Sequence, residues 1–212
     1  MKSRTQRNNT PSPPLEPRHP AGERLVIGDN TYRVLAEVGR GRRSLVYRAA
    51  DSGGRELALK IACNNKPETL SSLKNEMVKA RHYARYRFRH AEIVERGPNY
   101  VLKSWVAGIR GDRWTEKWKE AGFPPDDPAF IRLKELLLDS AEKKIYIRDL
   151  NQNNLIWDGS DWVIIDSGSV KKRRRRRRIL HLYREYIAEN WGRSTTPPCA
   201  DVFRRLLPRN PR

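Results

Sequence analysis

The sequence contains little cysteine and no long apolar run. Two cysteines, Cys63 and Cys199, occur among its 212 residues, which is too few for the disulfide framework of a small secreted domain. No apolar run approaches the roughly 20 residues of a membrane-spanning helix, and no apolar signal-peptide core follows Met1. The composition therefore excludes a disulfide scaffold and a membrane span, and it predicts a cytoplasmic protein.

Carboxylates are scarce as well. The chain has 25 Asp and Glu residues against 44 Lys and Arg residues, which gives a formal net charge of +19. Such an excess is compatible with a nucleic-acid, anionic-surface or phosphate-rich partner. The first 20 residues are polar, rich in proline and almost free of carboxylates, so we predict a disordered tail over residues 1–22. A nonclassical secretion signal would have the same character and stays open as an alternative.

The most concentrated charge is the basic block, Lys171–Arg178, in which eight cations follow one another. Like charges in a row repel, which favours a solvated and mobile chain unless an anion neutralises them. Three interpretations stay open: a solvated segment, a docking surface for an acidic or phosphorylated protein, and a nucleic-acid or nuclear-import segment. The nucleic-acid interpretation is the least favoured of the three.

The hydrophobic patterns predict a β-rich part followed by a helical part. Residues 23–106 contain short runs of strand type separated by turn signals, with one helix over Pro67–Tyr86, where apolar residues recur every three or four positions. Residues 107–212 contain helical patterns at 111–122, at 127–143 and after the basic block, with a strand hairpin in between. We therefore predict an α+β fold of two lobes.

Gly39-Arg40-Gly41 lies between two strand-type runs. Glycines at a strand turn let backbone amides approach an anion without a Cβ in the way, although many hairpins carry glycines for the turn alone. Because no helix follows directly, the pattern argues against a dinucleotide-binding fold and against a Walker loop. Lys60 lies on the next strand, where a lysine commonly extends its ammonium group to solvent.

The helix that follows Lys60 carries Glu76 in its middle. A lysine beneath a glycine loop can hold phosphate, and a helix glutamate can fix that lysine through an ion pair. Glu68 is the rival partner, but it lies at the start of the helix, where the dipole and the free amides favour a carboxylate. The sequence thus predicts a buried pair between Lys60 and Glu76.

Two aspartates and an asparagine flank the last predicted hairpin: Asp149, Asn154 and Asp166. A turn at residues 158–160 brings Asn154 and Asp166 to the same end of the hairpin. Mg²⁺ takes oxygen ligands, usually one or two from protein and the rest from phosphate and water, so these two are candidate metal ligands. Asp149 would remain free to orient a hydroxyl and accept its proton. The alternative, three turn and capping residues without a shared site, stays open on this stretch alone.

Taken in order, these motifs resemble those of the protein kinase fold. "GRGRRSLV" resembles the glycine-rich loop, "LALK" the strand lysine motif, "IRDLNQNN" the catalytic loop and "DSG" the metal-binding D-F-G motif. The resemblance covers about Tyr32–Gly168. It implies a five-stranded antiparallel first lobe with one inserted helix, a truncated helical second lobe, and binding of ATP and Mg²⁺. The residues it implies for catalysis are Asp149, Lys60, Glu76, Asn154 and Asp166.

The resemblance also implies the contacts to ATP. Gly39 and Gly41 would cover the phosphates, and Lys60 would hold the α- and β-phosphates. The backbones of Ser104 and Val106, in the hinge segment "YVLKSWVAG", would face adenine. The apolar walls of the adenine site would be Val38, Val46, Ala58 and Ile156.

Several positions depart from the kinase pattern. Ser44 replaces the third glycine of the loop, which is a mild change in the flexibility of the phosphate loop. Ile147 replaces the usual histidine of the catalytic loop and removes an orienting hydrogen bond. Asn151 stands where serine/threonine kinases usually have a lysine that contacts the transferring phosphate.

Further departures lie at the back of the adenine site and after the metal motif. Lys103 places a charge where the adenine pocket is closed off, and Ser167 replaces the phenylalanine of D-F-G. No A-P-E motif follows, and 44 residues (169–212) remain after Gly168, so the usual substrate-docking half of the second lobe is expected to be missing. Since the ATP and metal residues are all kept, the sequence favours an active enzyme.

The small second lobe narrows the resemblance. A helical lobe of this small size resembles those of the atypical RIO-like and lipopolysaccharide-kinase-like groups and of minimal bacterial effector kinases. In length and layout the chain resembles the type III effector family that phosphorylates the eukaryotic ATP-dependent heat-shock chaperone. This implies a virulence-associated serine/threonine kinase, secreted by bacteria into the host cytoplasm, with the chaperone as protein partner. The alternatives are a pseudokinase scaffold, a kinase with another acceptor, and a basic nucleic-acid-binding module.

Overall fold

The first half of the chain forms a six-stranded antiparallel sheet in the order β1-β2-β3-β4-β6-β5. The structure is a computed structural model that describes residues 19–166, 169–192 and 207. Residues 1–18 of the predicted tail, as well as Ser167, Gly168 and Cys199, lie outside the described residues. The elements of this half are β1 Arg24–Ile27, β2 Asn30–Arg40, β3 Ser44–Ala50, β4 Glu56–Ala62, α1 Pro67–Tyr86, β5 Ile93–Arg96 and β6 Tyr100–Ser104.

The sheet has one strand more than the five expected. β1 pairs antiparallel with the first residues of β2, from Ile27↔Asn30 outward, and Gly28 makes the tight turn between them with a φ of 57°. The sequence has one strand-type run before this turn and another after it. However, β2 alone has 11 residues and supplies the first strand that the kinase pattern requires. The expectation of five strands is therefore wrong because it leaves out an added edge strand.

Strand alternation sorts the central sheet into two faces. One face is a buried apolar cluster that includes Tyr47, Leu57 and Leu59. Ala58 and Lys60 alternate with these residues and so point to the other face. Val46 pairs with Lys60 across β3 and β4, and Lys103 of β6 pairs with Ala58, so these four positions share that second face. The sheet therefore places Val46, Ala58, Lys60 and Lys103 side by side.

Helix α1 covers this second face. The helix predicted over Pro67–Tyr86 is present with those bounds, with Pro67 in its first turn and Arg87 ending it in the left-handed conformation. The residues it buries are Thr69, Leu73, Glu76 and Tyr83. Glu76 is the one charge on that buried side, so the helix carries a carboxylate towards the sheet.

The second half of the chain combines helices with two small sheets, ordered β10-β9-β7 and β11-β8. The hairpin predicted between the last two helices is β9 and β10, and a 3₁₀ turn at Gln152–Asn154 precedes it. Among the described residues, no helix has the length and apolar character needed to cross a membrane. The elements are β7 Ile109–Arg110, α2 Gly111–Glu120, α3 Pro128–Glu142, β8 Ile145–Ile147, β9 Leu155–Trp157, β10 Trp162–Ile164, β11 Val170–Lys172 and α4 Arg176–Gly192.

A cluster of tryptophans forms the centre of this half. Trp114 of α2 stacks on Trp118 at 5.2 Å between ring centroids and meets Trp162 of β10 edge-on at 5.3 Å. Trp191 of α4 meets Trp162 at 6.0 Å. Aromatic pairs of this kind add roughly 0.5–1.5 kcal/mol each beyond the burial of apolar area. The cluster therefore fixes α2, α4 and β10 around one core.

The basic block is more ordered than its charge suggests. Lys171 and Lys172 belong to β11, which pairs with β8, and Arg176–Arg178 begin α4. The side chains are mostly exposed, as a solvated segment predicts, but the backbone forms regular elements, which that interpretation did not anticipate. The reason is that the backbone bonds to β8 and the residues that follow in α4, such as Ile179 and Leu180, are buried in the core.

Candidate active site

A cleft of about 660 Å³ opens between α1, the end of β4 and the loops that follow β8 and β10. Four of the residues predicted to act in catalysis line it, namely Lys60, Glu76, Asp149 and Asp166. The lining also includes Lys79 of α1. Lys60 and Asp166 are 106 positions apart in the chain, yet both line this one cavity. The order of the motifs predicts that these residues lie together.

Lys60 lies at the centre of an ion-pair cluster. Its Nζ is 3.1 Å from Glu76 Oε1 and 2.7 Å from Asp166 Oδ2. Burial opposes the charge on Lys60, but the carboxylates of Asp166 and Glu76 outweigh it and raise the pKa of the ammonium group. Of the two glutamates that compete for Lys60 in sequence, Glu76 makes the contact, while Glu68 is exposed near the start of α1.

Glu76 is 4% exposed and is bound by three ammonium groups. Besides Lys60, its Oε2 lies 2.6 Å from Lys103 Nζ and its Oε1 lies 3.3 Å from Lys79 Nζ. Burial alone would raise the pKa of Glu76, but Lys103 and Lys60 lower it further than burial raises it. The carboxylate is therefore ionised, and its position is fixed from several sides.

Lys103, like Lys79, belongs to this cluster without having been assigned to it from the sequence. It is 7% exposed, and its Nζ donates both to Glu76 and, at 3.0 Å, to the backbone carbonyl of Ile165. A buried lysine is tolerated when its charge is paired and its donors are satisfied. Lys103 pairs with Ala58, and the kinase resemblance assigns its position to the back of the adenine site. The only indication in the sequence was a charged residue at that position.

Asp166 closes the cluster from the second half of the chain. Its two carboxylate oxygens accept from Lys60 at 2.7 Å and from Lys79 at 3.4 Å. Burial would raise the pKa of Asp166, and the ammonium groups of Lys60, Lys103 and Lys79 lower it well below its usual range. Three cations thus surround two carboxylates, so the cluster carries a net positive charge and favours a further anion in the cleft.

Asp149 projects from the loop after β8 and is exposed. Its φ of 54° places it in the left-handed region, which is costly for a residue other than glycine. Asn154 Nδ2 donates to the Asp149 carbonyl at 2.7 Å and so holds the loop in this shape. The spacing of five residues between Asp149 and Asn154 therefore allows the Asn154 side chain to hold the backbone at Asp149.

The hairpin brings Asn154 towards Asp166, as the sequence predicts. The backbone amide of Ile165, next to Asp166, donates to the Asn154 carbonyl at 3.0 Å. Because the side-chain nitrogen of Asn154 is committed to Asp149, its side-chain oxygen is the group that a cation would meet. An amide oxygen and an ionised carboxylate are ligands that suit Mg²⁺. Within the described residues no group of three or more His, Cys, Asp or Glu side chains could hold a metal.

The loop that carries Asp149 is held from behind by α4. Tyr183 Oη accepts from the backbone amide of Ile147 at 2.9 Å and lies 2.7 Å from Ser140 Oγ. Trp191 Nε1 donates to the Leu150 carbonyl at 3.3 Å. These contacts attach the loop on both sides of Asp149 to the buried face of α4. The sequence marked this helix but gave no sign of its contacts with the loop.

The two glycines of the predicted phosphate loop lie at the end of β2 and just beyond it. A Cβ added to Gly39 would lie 3.7 Å from Val46, and one added to Gly41 would lie 3.5 Å from the Ser44 carbonyl. Both are ordinary contact distances, so the chain itself does not demand glycine here. Close approach by an anion stays the predicted reason for glycine at these two positions.

The residues predicted to contact adenine do not line the cleft of Lys60 and Glu76. Val46 and Ala58 lie on the same face of the sheet as Lys60, whereas Ile156 belongs to β9 and pairs with Arg110 of β7. The predicted set that lies outside the cleft lining is Val38, Gly39, Gly41, Val46, Ala58, Ser104, Val106, Asn154 and Ile156. Their roles in ATP binding stay predictions.

Comparison with known proteins supports the fold. Neither a protein-family model nor a curated relative matches the chain. Among solved structures, the crystal structure of the BubR1 kinase domain is similar, with a TM-score of 0.54 and 16% sequence identity. The match covers 71% of this chain and 50% of that chain, so the similarity spans about half of the BubR1 kinase domain structure. A likeness at this identity shows the fold alone, and the chain therefore has a protein-kinase-like fold.

Proposed function

We propose that the protein is a phosphotransferase that moves the γ-phosphoryl group of ATP to a serine or threonine hydroxyl of a protein. One observation carries the proposal: Lys60 is bound at once by Glu76 and Asp166 in a cleft that also contains Asp149. This is the charge arrangement that phosphoryl transfer needs, since catalysis here consists of positioning and electrostatic stabilisation. The protein-kinase-like fold agrees with it.

Each residue has a defined part in the proposed reaction. Lys60 would hold the α- and β-phosphates, and Asp149 would orient the acceptor hydroxyl and take its proton. The acceptor oxygen bonds to the γ-phosphorus as the bond from phosphorus to the β–γ bridging oxygen breaks, and ADP leaves. Asp166 and Asn154 would hold Mg²⁺, which neutralises charge on the phosphate oxygens.

The acceptor is proposed from the resemblance in size and layout. A minimal kinase of this kind fits a bacterial effector that enters the host cytoplasm and phosphorylates the ATP-dependent heat-shock chaperone. On this proposal the tail over residues 1–22 serves in secretion. A eukaryotic lysate would then contain the acceptor, and the labelled product would have the mass of that chaperone.

The test is transfer of labelled phosphate from ATP and Mg²⁺ by the wild type and by Asp166→Ala, with and without eukaryotic lysate. We expect label on a lysate protein and a loss of at least about a hundredfold in the variant, since single electrostatic groups contribute that much to transition-state stabilisation. Asp126→Ala is the control, because Asp126 is exposed and lies outside the cleft. Equal labelling by the wild type and Asp166→Ala would refute the assignment.

A pseudokinase scaffold is the second candidate. The observation that favours it is that both oxygens of Asp166 already contact lysine ammonium groups, which a metal ion would have to displace. The absence of the usual catalytic-loop histidine, with Ile147 in its place, points the same way. Measurable ATP binding without any transfer, to lysate proteins or to the protein itself, would support this candidate over the kinase.

A further inference from the structure

The basic block begins at the wall of the candidate active site. Ser169 and Val170, directly before it, line the same cleft as Asp149 and Asp166. β11 then runs antiparallel to β8, the strand that leads into the Asp149 loop, and Arg148 N donates to the Ser169 carbonyl at 3.1 Å. The block therefore starts next to the cleft and runs away from it along β8, and its starting point is fixed by backbone pairing.

Most of this charge is not neutralised by the residues that the structure describes. Six of the eight side chains are exposed: Lys171, Lys172, Arg174, Arg175, Arg177 and Arg178. In the part of the chain that the structure describes, Arg176 is the only cation of the block with an ion pair, which it forms with Glu142. No carboxylate occurs in the sequence between Asp166 and Glu185.

The position of the block is also unfavourable for cations. Arg176, Arg177 and Arg178 occupy the first turn of α4, which contains no acidic residue. A helix N-terminus carries partial positive charge and favours anions, so arginines there are destabilising. The Nε of Arg173 is, in addition, buried without a hydrogen-bond partner among the described residues. Folding alone does not account for this concentration of charge, whereas a polyanionic ligand does.

We propose that the basic block is a docking surface for an aspartate- and glutamate-rich segment of the protein that accepts the phosphate. The proposal rests on the proposed function and adds the substrate class to it. β11 ends at Lys172, and a strand advances about 3.3 Å per residue, so Lys172 lies about 7 Å beyond Val170. An extended substrate covers that distance in about two residues, so its acidic residues would begin within a few positions of the acceptor hydroxyl.

An acidic polypeptide fits the block better than nucleic acid does. Single-stranded nucleic acids are usually held by basic grooves interleaved with aromatic side chains on which the bases stack. Lys171–Arg178 contains no aromatic residue, and the block continues from the cleft where the acceptor hydroxyl must sit. A polypeptide that docks on the block is thereby led towards Asp149.

Two measurements test the proposal with the full-length protein. The first is binding of a fluorescent peptide that has one serine flanked on both sides by glutamates, compared with the same peptide carrying glutamines. We expect at least tenfold tighter binding of the glutamate peptide, with a preference that declines as salt is added. The second is the ratio of kcat/KM for phosphorylation of the two peptides, which should show the same preference.

The key variant is the triple substitution R174Q/R175Q/R177Q. Its matched control, R24Q/R33Q/R96Q, removes three exposed arginines from strands of the six-stranded sheet. The first triple variant should lose the preference for glutamate in both measurements while its kcat/KM for the glutamine peptide stays unchanged. The control should keep the preference. Loss of the preference in both triple variants would show a general charge effect and overturn the proposal.

The outcomes separate this proposal from the proposed function. If the wild type transfers no phosphate but binds the glutamate peptide through the three arginines, the docking surface stands and the kinase assignment falls. If it phosphorylates both peptides equally well, the kinase stands and the docking surface falls. A labelled single-stranded RNA that binds more tightly than the glutamate peptide, and is lost in R174Q/R175Q/R177Q, would overturn the choice of a polypeptide partner.

Discussion

The carboxylate of Glu76 is divided between two lysines of the sheet, with Oε1 on Lys60 and Oε2 on Lys103. Replacing Lys103 with methionine would keep an unbranched apolar side chain of similar shape but remove the charge. Hydrogen bonds to charged groups contribute about 1.5–3 kcal/mol, and each 1.36 kcal/mol corresponds to tenfold in rate. We expect Lys103→Met to lower phosphoryl transfer about ten- to hundredfold, measured as kcat/KM with the acceptor identified from lysate.

A double-mutant cycle distinguishes positioning from a general loss of stability. If Lys103 acts through Glu76, Lys103→Met should cost much less in a Glu76→Gln background than in the wild type. Lys74→Met is the control, since Lys74 is exposed on the other side of α1, and it should leave transfer unchanged. An equal loss in both backgrounds would mean that Lys103 contributes independently of Glu76.

The sequence predicts pairs of residues better than it predicts clusters. Lys60 and Glu76 follow from a lysine on a strand and a glutamate in the middle of the next helix, and this contact is present at 3.1 Å. Lys103 and Lys79 were not assigned to the site. Their contacts depend on how deeply α1 sits on the sheet, a distance that neither hydrophobic period nor motif spacing determines.

At the level of elements, α4 supports the loop of Asp149. Tyr183 of α4 is buried, and its hydroxyl joins Ser140 of α3 to the amide of Ile147 at the end of β8. Burial raises the pKa of Tyr183, so the hydroxyl stays protonated at neutral pH. Tyr183→Phe would leave the Ile147 amide buried without an acceptor, which costs about 1–3 kcal/mol. We expect a loss of that size in the free energy of unfolding measured in urea.

Tyr146→Phe is the comparison for this experiment. Tyr146 contacts Tyr183 in a tilted arrangement with 5.0 Å between ring centroids, but its hydroxyl makes no hydrogen bond within the described residues. It should therefore unfold within about 0.5 kcal/mol of the wild type, as substitutions that break no such feature usually do. If the two phenylalanine variants lose the same stability, the hydroxyl of Tyr183 is not what holds the loop.

The sequence locates the elements of this fold more reliably than it locates their environment. The helices at α1, α2 and α3 and the β9–β10 hairpin appear where periodicity and turn residues predict them. The regular backbone structure of the basic block was not predicted, because charge repulsion was considered without the neighbouring residues. Pairing with β8 and the buried face of α4, at Ile179 and Ile187, outweighs that repulsion locally.

At the scale of the whole molecule, the lysine–carboxylate cluster joins the two halves of the chain. Lys60, Lys103 and Glu76 come from the sheet and α1, while Asp166 follows β10. The protein has 44 Lys and Arg residues and 25 carboxylates, so self-repulsion grows quickly when carboxylates are protonated. Acid should therefore weaken the connection between the halves and increase the repulsion at the same time.

The pH dependence of unfolding tests this connection. The pKa of Glu76 is lowered from an ordinary value of 4.5, so the folded protein binds fewer protons than the unfolded chain in the range below that value. The stability that Glu76 supplies is then fully present above about pH 4.5 and is lost as pH falls through the lowered pKa. In urea unfolding from about pH 7 to pH 3, the gap between the wild type and Glu76→Gln should be constant at first and should shrink in acid. Glu68 is exposed on the same helix, so Glu68→Gln should have the stability of the wild type at every pH. If the difference in stability between the wild type and Glu76→Gln stays unchanged down to about pH 3, the pH dependence does not come from this carboxylate.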